Sequence, residues 1–252
     1  MIQIENVSLV RGGAKILSDV SLHIPEKGLV AMVGPNGAGK SSLLSLIGRL
    51  QPLQSGRISV AGLPVDATPS RELAKILAIL RQDPAPASRL KVRELVGFGR
   101  FPHSRGRLTA EDRAVVDAAL ADFALTALAD RFVETLSGGQ RQRALVAMAL
   151  AQDTPVLLLD EPLNNLDMPN ARDLMRRLRR VVDERGRTVL AVLHDLNHAA
   201  AYADRIVAMK DGGVAADGSP RDLLTPDMLE SVFGHRMRVA EIDGAPVVLH
   251  HL

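Results

Sequence analysis

The chain has 252 residues, 46% of them apolar, enough to bury a core without covalent staples; it has no cysteine, which excludes disulfides, thiolate metal sites and cysteine nucleophiles. Its 31 basic residues nearly balance 29 acidic ones, and one tyrosine, five phenylalanines and no tryptophan leave little to stack bases on, so no nucleic acid is expected as a partner. No apolar run reaches the roughly 18 to 20 residues of a spanning helix, and Met1-Ile2-Gln3-Ile4-Glu5 is not a secretion signal, so a cytoplasmic chain is expected.

Residues 2–10 and 16–24 alternate apolar and polar side chains, the pattern of half-buried strands. Leu29-Val30-Ala31-Met32-Val33 is a continuous apolar run ending in glycine and reads as a central parallel strand. After Gly39 the stretch "KSSLLSLIGRL" has helical spacing, and 56–61 and 76–81 are short strands. From Asp83, "DPAPASRL" is a Pro-punctuated loop, and 91–151 are mostly helical, over 92–98, 109–123 and 138–151. Strand character returns at 155–160, 188–193 and 205–210, and 221–252 hold a short helix and two weak strands, too small to stand alone. The expected organisation is one α/β domain with a mostly parallel sheet plus antiparallel strands: a nucleotide-binding core from 1–82 and 155–220, a helical subdomain over 83–154, and a short extension over 221–252.

"GPNGAGKSS" (residues 34–42) matches G-x-x-x-x-G-K-[ST] between a buried strand and a helix, the context that a P-loop requires. Gly34, Pro35, Asn36, Gly37, Ala38 and Gly39 would wrap nucleotide phosphates with backbone amides. Lys40 would reach the terminal phosphates, and the Ser41 hydroxyl, followed by Ser42, would sit on Mg2+. "VLLLDEP" delivers Asp160 and Glu161 at the carboxyl end of an apolar strand, where such sheets place their sites. Asp160 suits the magnesium shell, through water, and Glu161 is placed to polarise a water against the γ-phosphate. An Asn-Lys-x-Asp base reader is missing, and the lone D-x-x-G match, Asp183 to Gly186, lies at the end of an expected helix, so a GTPase is disfavoured.

"TLSGGQRQRA" (135–144) is a second cradle without a lysine: a hydroxyl, two glycines and the positive end of a helix starting near Gly138. Leu136-Ser137-Gly138-Gly139-Gln140, standing between the P-loop and Asp160, resembles the signature of ATP-binding-cassette (ABC) ATPases, and the resemblance covers nearly the whole chain. It implies ATP as the nucleotide and a head-to-tail homodimer in which Ser137, Gly138, Gly139 and Gln140 close over the γ-phosphate bound by the other subunit. It further implies that Gln82 is the Q-loop glutamine, contacting magnesium and the attacking water, and that His194 in "VLHDL" is the switch histidine at the γ-phosphate. Asp167 in "LNNLD" resembles the D-loop aspartate at the dimer seam, with a helix N-cap as the plain alternative. His194 and His198 have the i, i+4 spacing of metal ligands, but metal binding would need further ligands.

Some positions depart from the family pattern. Leu163 replaces the usual threonine after the "DEP" proline, Asn164-Asn165 stand where small residues are common, and Arg11 stands where most relatives stack an aromatic on adenine. A guanidinium can stack on a base; a solvated strand-end arginine is the other reading. The run "RRLRR" (176–180) reads as a solvated helix face with Asp173, Asp183 and Glu184 as its partners, rather than as a nucleic-acid or lipid site. Within the family, "ELVGFGRFPH", "RLTAEDRAVVDAAL", "EPLNNLDM" and "VLHDLNHAAAYADRIVAMKDGGVAADGSP" resemble ATPases of bacterial iron-siderophore, haem and cobalamin importers, the siderophore members above all. That implies two transmembrane permease subunits, an indirect link to a substrate-binding protein, and a peripheral place on the cytoplasmic face of the membrane. The alternative is a soluble cassette ATPase acting on nucleic acid or ribosomes. Such relatives generally fuse two cassettes or carry a long coiled-coil insertion, whereas this chain has one cassette and a compact helical interval.

Overall fold

The half-buried alternation near the start forms a hairpin: β1 (Ile2–Arg11) pairs antiparallel with β2 (Ala14–Ile24) around Gly12-Gly13, with Ile2, Ile4, Val7 and Leu9 turned inward. β3 (Gly28–Val33) leads into α1 (Lys40–Ile47), and β4 (Arg57–Val60) and β5 (Leu63–Pro64) complete an antiparallel sheet in the order β2-β1-β4-β5. The computed structural model describes residues 1–81 and 89–250 and divides into two compact units, Met1–Thr68 with Thr188–Leu252, and Pro69–Arg187. Gln82 and most of the Pro-punctuated loop lie outside the described residues.

The second unit contains α2 (Ser70–Ile76), β6 (Leu77–Leu80), α3 (Val92–Gly97), α4 (Phe101–Ser104), α5 (Ala110–Asp122), α6 (Gly138–Ala151), β7 (Val156–Leu159) and α7 (Met168–Arg185). β6 and β7 pair in parallel, in register from Leu77 with Val156 to Leu80 with Leu159. A buried ion pair fastens the helices. Asp112, in the first turn of α5, accepts from Arg100 Nε at 2.9 Å and from Thr109 N and Oγ1 at 3.0 and 2.9 Å, while Arg100 Nη1 donates to the Ala151 carbonyl at 3.0 Å. The Thr109 amide bond, seconded by Arg100, holds the Asp112 carboxyl below the usual carboxylate range despite its burial. Gly99 sits under this staple because a methyl group there would come within 2.1 Å of the Met148 carbonyl oxygen.

The chain then returns to the first unit with β8 (Thr188–Val192), α8 (Leu196–Tyr202), β9 (Arg205–Lys210), β10 (Gly213–Gly218), α9 (Pro220–Leu223), α10 (Pro226–Phe233), β11 (Arg238–Ile242) and β12 (Ala245–Leu249). β3 is apolar on both faces because it lies between β8 and β9, parallel to each, and β10 closes the edge of this sheet antiparallel to β9. The small side chains of β10 carry no strand pattern in the sequence. The strand exists because Asp211 and Gly212, at φ 48° and 78°, make the tight left-handed turn that a two-residue hairpin requires. The final segment holds two short helices where one was expected, each begun by a serine or threonine cap followed by proline.

Candidate active site

In the first unit the P-loop joins β3 to α1, and two of its glycines are dictated by contact. Gly34 has φ 143°, and a methyl group there would fall 2.1 Å from the Met209 carbonyl oxygen of β9. Gly39 has φ 96°, and a methyl group there would fall 2.6 Å from Leu17 Cδ2 and 2.9 Å from the Ile16 carbonyl oxygen, so β2 closes directly over the loop. Gly39 provides no side-chain cap for α1, and the start of a helix is where backbone amides favour an anion. Lys40 is buried inside the loop, its Nζ donating to the carbonyls of Gly34 at 2.8 Å and Pro35 at 2.9 Å. Between them Pro35, Asn36, Gly37 and Ala38 turn, with the Ala38 amide on the Pro35 carbonyl at 3.2 Å, and Ser41 and Ser42 follow, half-buried, on α1.

Arg11 is exposed at the end of β1, paired with Ala14, on the hairpin whose Ile16 and Leu17 cover Gly39. His194 is exposed just past β8. Its neighbour Leu193 bonds through the backbone to Met32 of β3 at 3.0 Å, which sets His194 level with the start of the P-loop. Asp195 caps α8, accepting from the amides of Asn197 and His198 at 2.7 and 3.2 Å, and lies 3.0 Å from His198 Nδ1. The His198 ring beside it is the main reason its carboxyl is pulled down to about 2. His194 is therefore outside α8 and His198 inside it, engaged with Asp195 and stacked on Tyr202, so the i, i+4 spacing is not a helical pair. No cluster of three histidine, cysteine or acidic residues exists among the described residues.

In the second unit Asp160 directly follows β7, nearly buried, its amide on the Leu80 carbonyl at 2.9 Å. Glu161 follows in the left-handed region at φ 49°, a conformation a glutamate adopts only when its surroundings impose it, and its carbonyl accepts the Asn164 amide at 3.1 Å. Ser137 is the N-cap of α6. Its Oγ accepts the Gln140 amide at 3.3 Å and Gln140 Oε1 accepts the Ser137 amide at 3.1 Å. Capping uses the hydroxyl only as acceptor, so its proton remains to be donated. The amides of Gly138 and Gly139, in the first turn, have no acceptor within the helix. Asp167 is the N-cap of α7, its Oδ1 accepting the Asn170 amide at 3.1 Å, so the capping alternative for this residue holds in the structure.

The ABC transporter family model matches residues 17–164 of the chain. The petrobactin import ATP-binding protein of Bacillus anthracis is 45% identical over 250 residues, covering 99% of this chain and 100% of that relative. The chain belongs to the ABC transporter family. The ferric enterobactin transport ATP-binding protein of Escherichia coli is 37% identical to this cassette, covering 97% of the chain and 92% of that relative. Among solved structures, a metal-chelate type ABC transporter in an inward-facing conformation superposes with a TM-score of 0.84 at 25% identity, over 99% of this cassette and 98% of that chain. A bacterial ABC transporter cassette solved as a dimer superposes with a TM-score of 0.75 at 30% identity, over 87% and 98%. No helix of the described residues is long and apolar enough to cross a membrane. The arginine run on α7 is a solvated face, with Arg177 on Asp173 at 2.8 Å, Arg179 on Asp183 at 2.5 Å and Arg180 facing Glu184 at 4.0 Å. Sequence reasoning missed Asn170, whose side chain lies against Gly139 in the first turn of α6; the contact links residues 31 apart and leaves no local pattern.

Proposed function

We propose that this chain is the ATP-hydrolysing subunit of a bacterial importer for a ferric siderophore, working as a head-to-tail homodimer on two membrane permease subunits at the cytoplasmic face. The observation that carries the cargo is the set of relatives: those for petrobactin, ferric hydroxamate and ferric enterobactin are 37% to 45% identical and match along nearly the whole chain. The cobalamin import protein of Halobacterium salinarum, 43% identical over 90% of this chain but only 57% of its own length, supports the second reading, a cobalamin importer. Transport of haem is the third. A substrate-binding protein would deliver the cargo to the permeases and act on this subunit only through them.

In this reading the backbone amides of the loop over 34–39 and the Lys40 ammonium, buried in that loop, hold the phosphates of ATP, because a cation and amide donors favour a polyanion. Glu161 takes a proton from the attacking water, whose oxygen bonds to the γ-phosphorus as the bond to the β–γ bridging oxygen breaks, giving ADP and phosphate. His194 and Gln82 orient the γ-phosphate and the water. Ser137 donates its hydroxyl proton, and Gly138, Gly139 and Gln140 their amides, to the γ-phosphate in the partner, with Asp167 at the seam. Arg11 lies against adenine. Ser41 directly, Asp160 through water and Gln82 would hold Mg2+, which supplies charge neutralisation at the phosphates. An oxygen-only donor set, with no preformed cluster of three ligands among the described residues, suits an ion held largely by phosphate and water.

Deleting the gene in its host should abolish uptake of one radiolabelled ferric siderophore while surface capture of that chelate persists, and a Glu161→Gln copy should fail to restore it. Unchanged ferric siderophore uptake with lost cobalamin or haem uptake would replace the cargo and leave the ATPase reading standing.

A further inference from the structure

The two helix starts read above as facing the partner subunit, α6 at Ser137 and α7 at Asp167, meet through one side chain. Asn170 Nδ2 donates to Asp167 Oδ1 at 2.6 Å, while the same carboxylate oxygen accepts the Asn170 amide at 3.1 Å. The other side of the Asn170 amide group lies on Gly139, where an added methyl would fall 2.5 Å from Asn170 Cγ and 2.6 Å from Oδ1. Gly139 is thus bare because Asn170 occupies the space of its side chain. One turn further along both helices a second bond repeats the join: Arg143 of α6 donates to Asp173 of α7 at 2.9 Å, and Arg177 donates to the same oxygen at 2.8 Å.

We propose that Asn170 is a positioning residue that fixes the D-loop aspartate to the signature helix, so that Ser137 and Asp167 reach the partner subunit as one rigid surface. The inference rests on the reading of both elements as partner-facing. The chemistry at this position is specific. Asp167 is exposed, with exposed Met168 and Pro169 beside it, and its backbone bond alone leaves the carboxylate free to rotate. Only a short side chain that donates can hold that carboxylate and still fit on Gly139. An aspartate has the right shape but meets Asp167 as a like charge, and an alanine keeps the helix cap while losing the tether.

The test uses the full chain carrying Asn170→Ala or Asn170→Asp, with Ser137→Arg in parallel. Turnover, KM, nucleotide affinity of the separated subunit and melting temperature are read for each. Both Asn170 variants should lose turnover at saturating ATP by roughly tenfold or more, as expected for a misplaced reacting group, with nucleotide affinity and melting temperature close to the parent. Asn170→Asp sets a second carboxylate against Asp167 and should lose more turnover than Asn170→Ala, because like-charge repulsion adds to the lost tether. Arg143, Asp173 and Arg177, one turn away, are engaged with one another. Parent-like turnover of either Asn170 variant would overturn the proposal, as would a loss of turnover matched by a lower melting temperature or by an equal loss of nucleotide affinity. If Ser137→Arg keeps its turnover, the signature reading itself fails; if Ser137→Arg is inactive while the Asn170 variants are not, only this inference fails.

Discussion

In the proposed reading Ser137 has two separable duties, helix cap and phosphate donor, and replacing it with aspartate divides them. As N-cap of α6 it accepts the Gln140 amide, a task at which aspartate equals serine, whereas Ser137→Ala should cost about 1 kcal/mol of stability and lower the melting temperature by roughly 2 to 4 °C in a chain of this size. As the donor to a γ-phosphate it faces an anion, and there aspartate is the worst replacement. A carboxylate about 4 Å from a phosphate oxygen repels it by about 4 kcal/mol at an effective dielectric near 20, which corresponds to roughly a thousandfold in rate. Ser137→Asp should therefore melt with the parent, bind ATP on its own P-loop with parental affinity, and scarcely turn over. Ser137→Ala should melt lower yet keep more activity. Thermal melts, nucleotide titration and phosphate release at saturating ATP measure the three quantities. If Ser137→Asp is as active as the parent, or Ser137→Ala is the poorer enzyme, the serine is a helix cap and nothing more.

Lys40→Ala should weaken nucleotide binding and hydrolysis together, since it removes the cation inside its own subunit's loop; equal weakening of nucleotide affinity by Ser137→Arg would contradict the division of labour. Arg11→Tyr should tighten ATP binding and leave the rate at saturating ATP unchanged, because a fixed ring is better organised for stacking than a mobile guanidinium; a large fall in that rate would place Arg11 elsewhere in the cycle. Asp112→Ala should destabilise the chain by roughly 3 kcal/mol, leaving the buried Arg100 guanidinium without its carboxylate, as read by denaturant unfolding. The Asp195 carboxyl, lowered from 3.8 to about 2 in the folded chain, contributes stability that is complete above pH 3.8 and lost as pH falls through 2. His198→Ala should flatten the stability curve in that window, and an unchanged curve would deny the pair its role.

The candidate chemistry is legible because it is proposed from contiguous motifs: residues 34–42, 136–140 and 160–161 each take their reading from their own neighbours. The strands that deliver them were legible for the same reason, since β3, β7, β8 and β9 are unbroken apolar runs. α2 escaped notice because it buries only Leu73 and has no apolar stripe, and β10 because alanine and glycine carry no strand pattern. Contacts between distant residues were illegible altogether. Nothing local says that Arg100 is buried on Asp112, that Asn197 pairs its side-chain amide with both backbone groups of Val248 at 2.8 and 3.1 Å, or that Gly139 is bare because of Asn170. Asp167 and Ser137 each admit two readings from sequence, since capping and anion binding ask for the same residue types.

The shared site is the centre of the account, and mixing two inactive proteins tests it most directly. Lys40→Ala lacks the P-loop cation but has a sound signature, and Ser137→Arg has a sound P-loop but a blocked signature. Their heterodimer carries one site built from two intact halves. Phosphate release from the equimolar mixture should rise well above the sum of the two separate proteins and should vanish again when Glu161→Gln is added to the Ser137→Arg partner, whose P-loop serves the restored site. Activity that stays at the simple sum, in a mixture shown by cross-linking to contain heterodimers, would mean that Ser137 serves its own subunit's nucleotide.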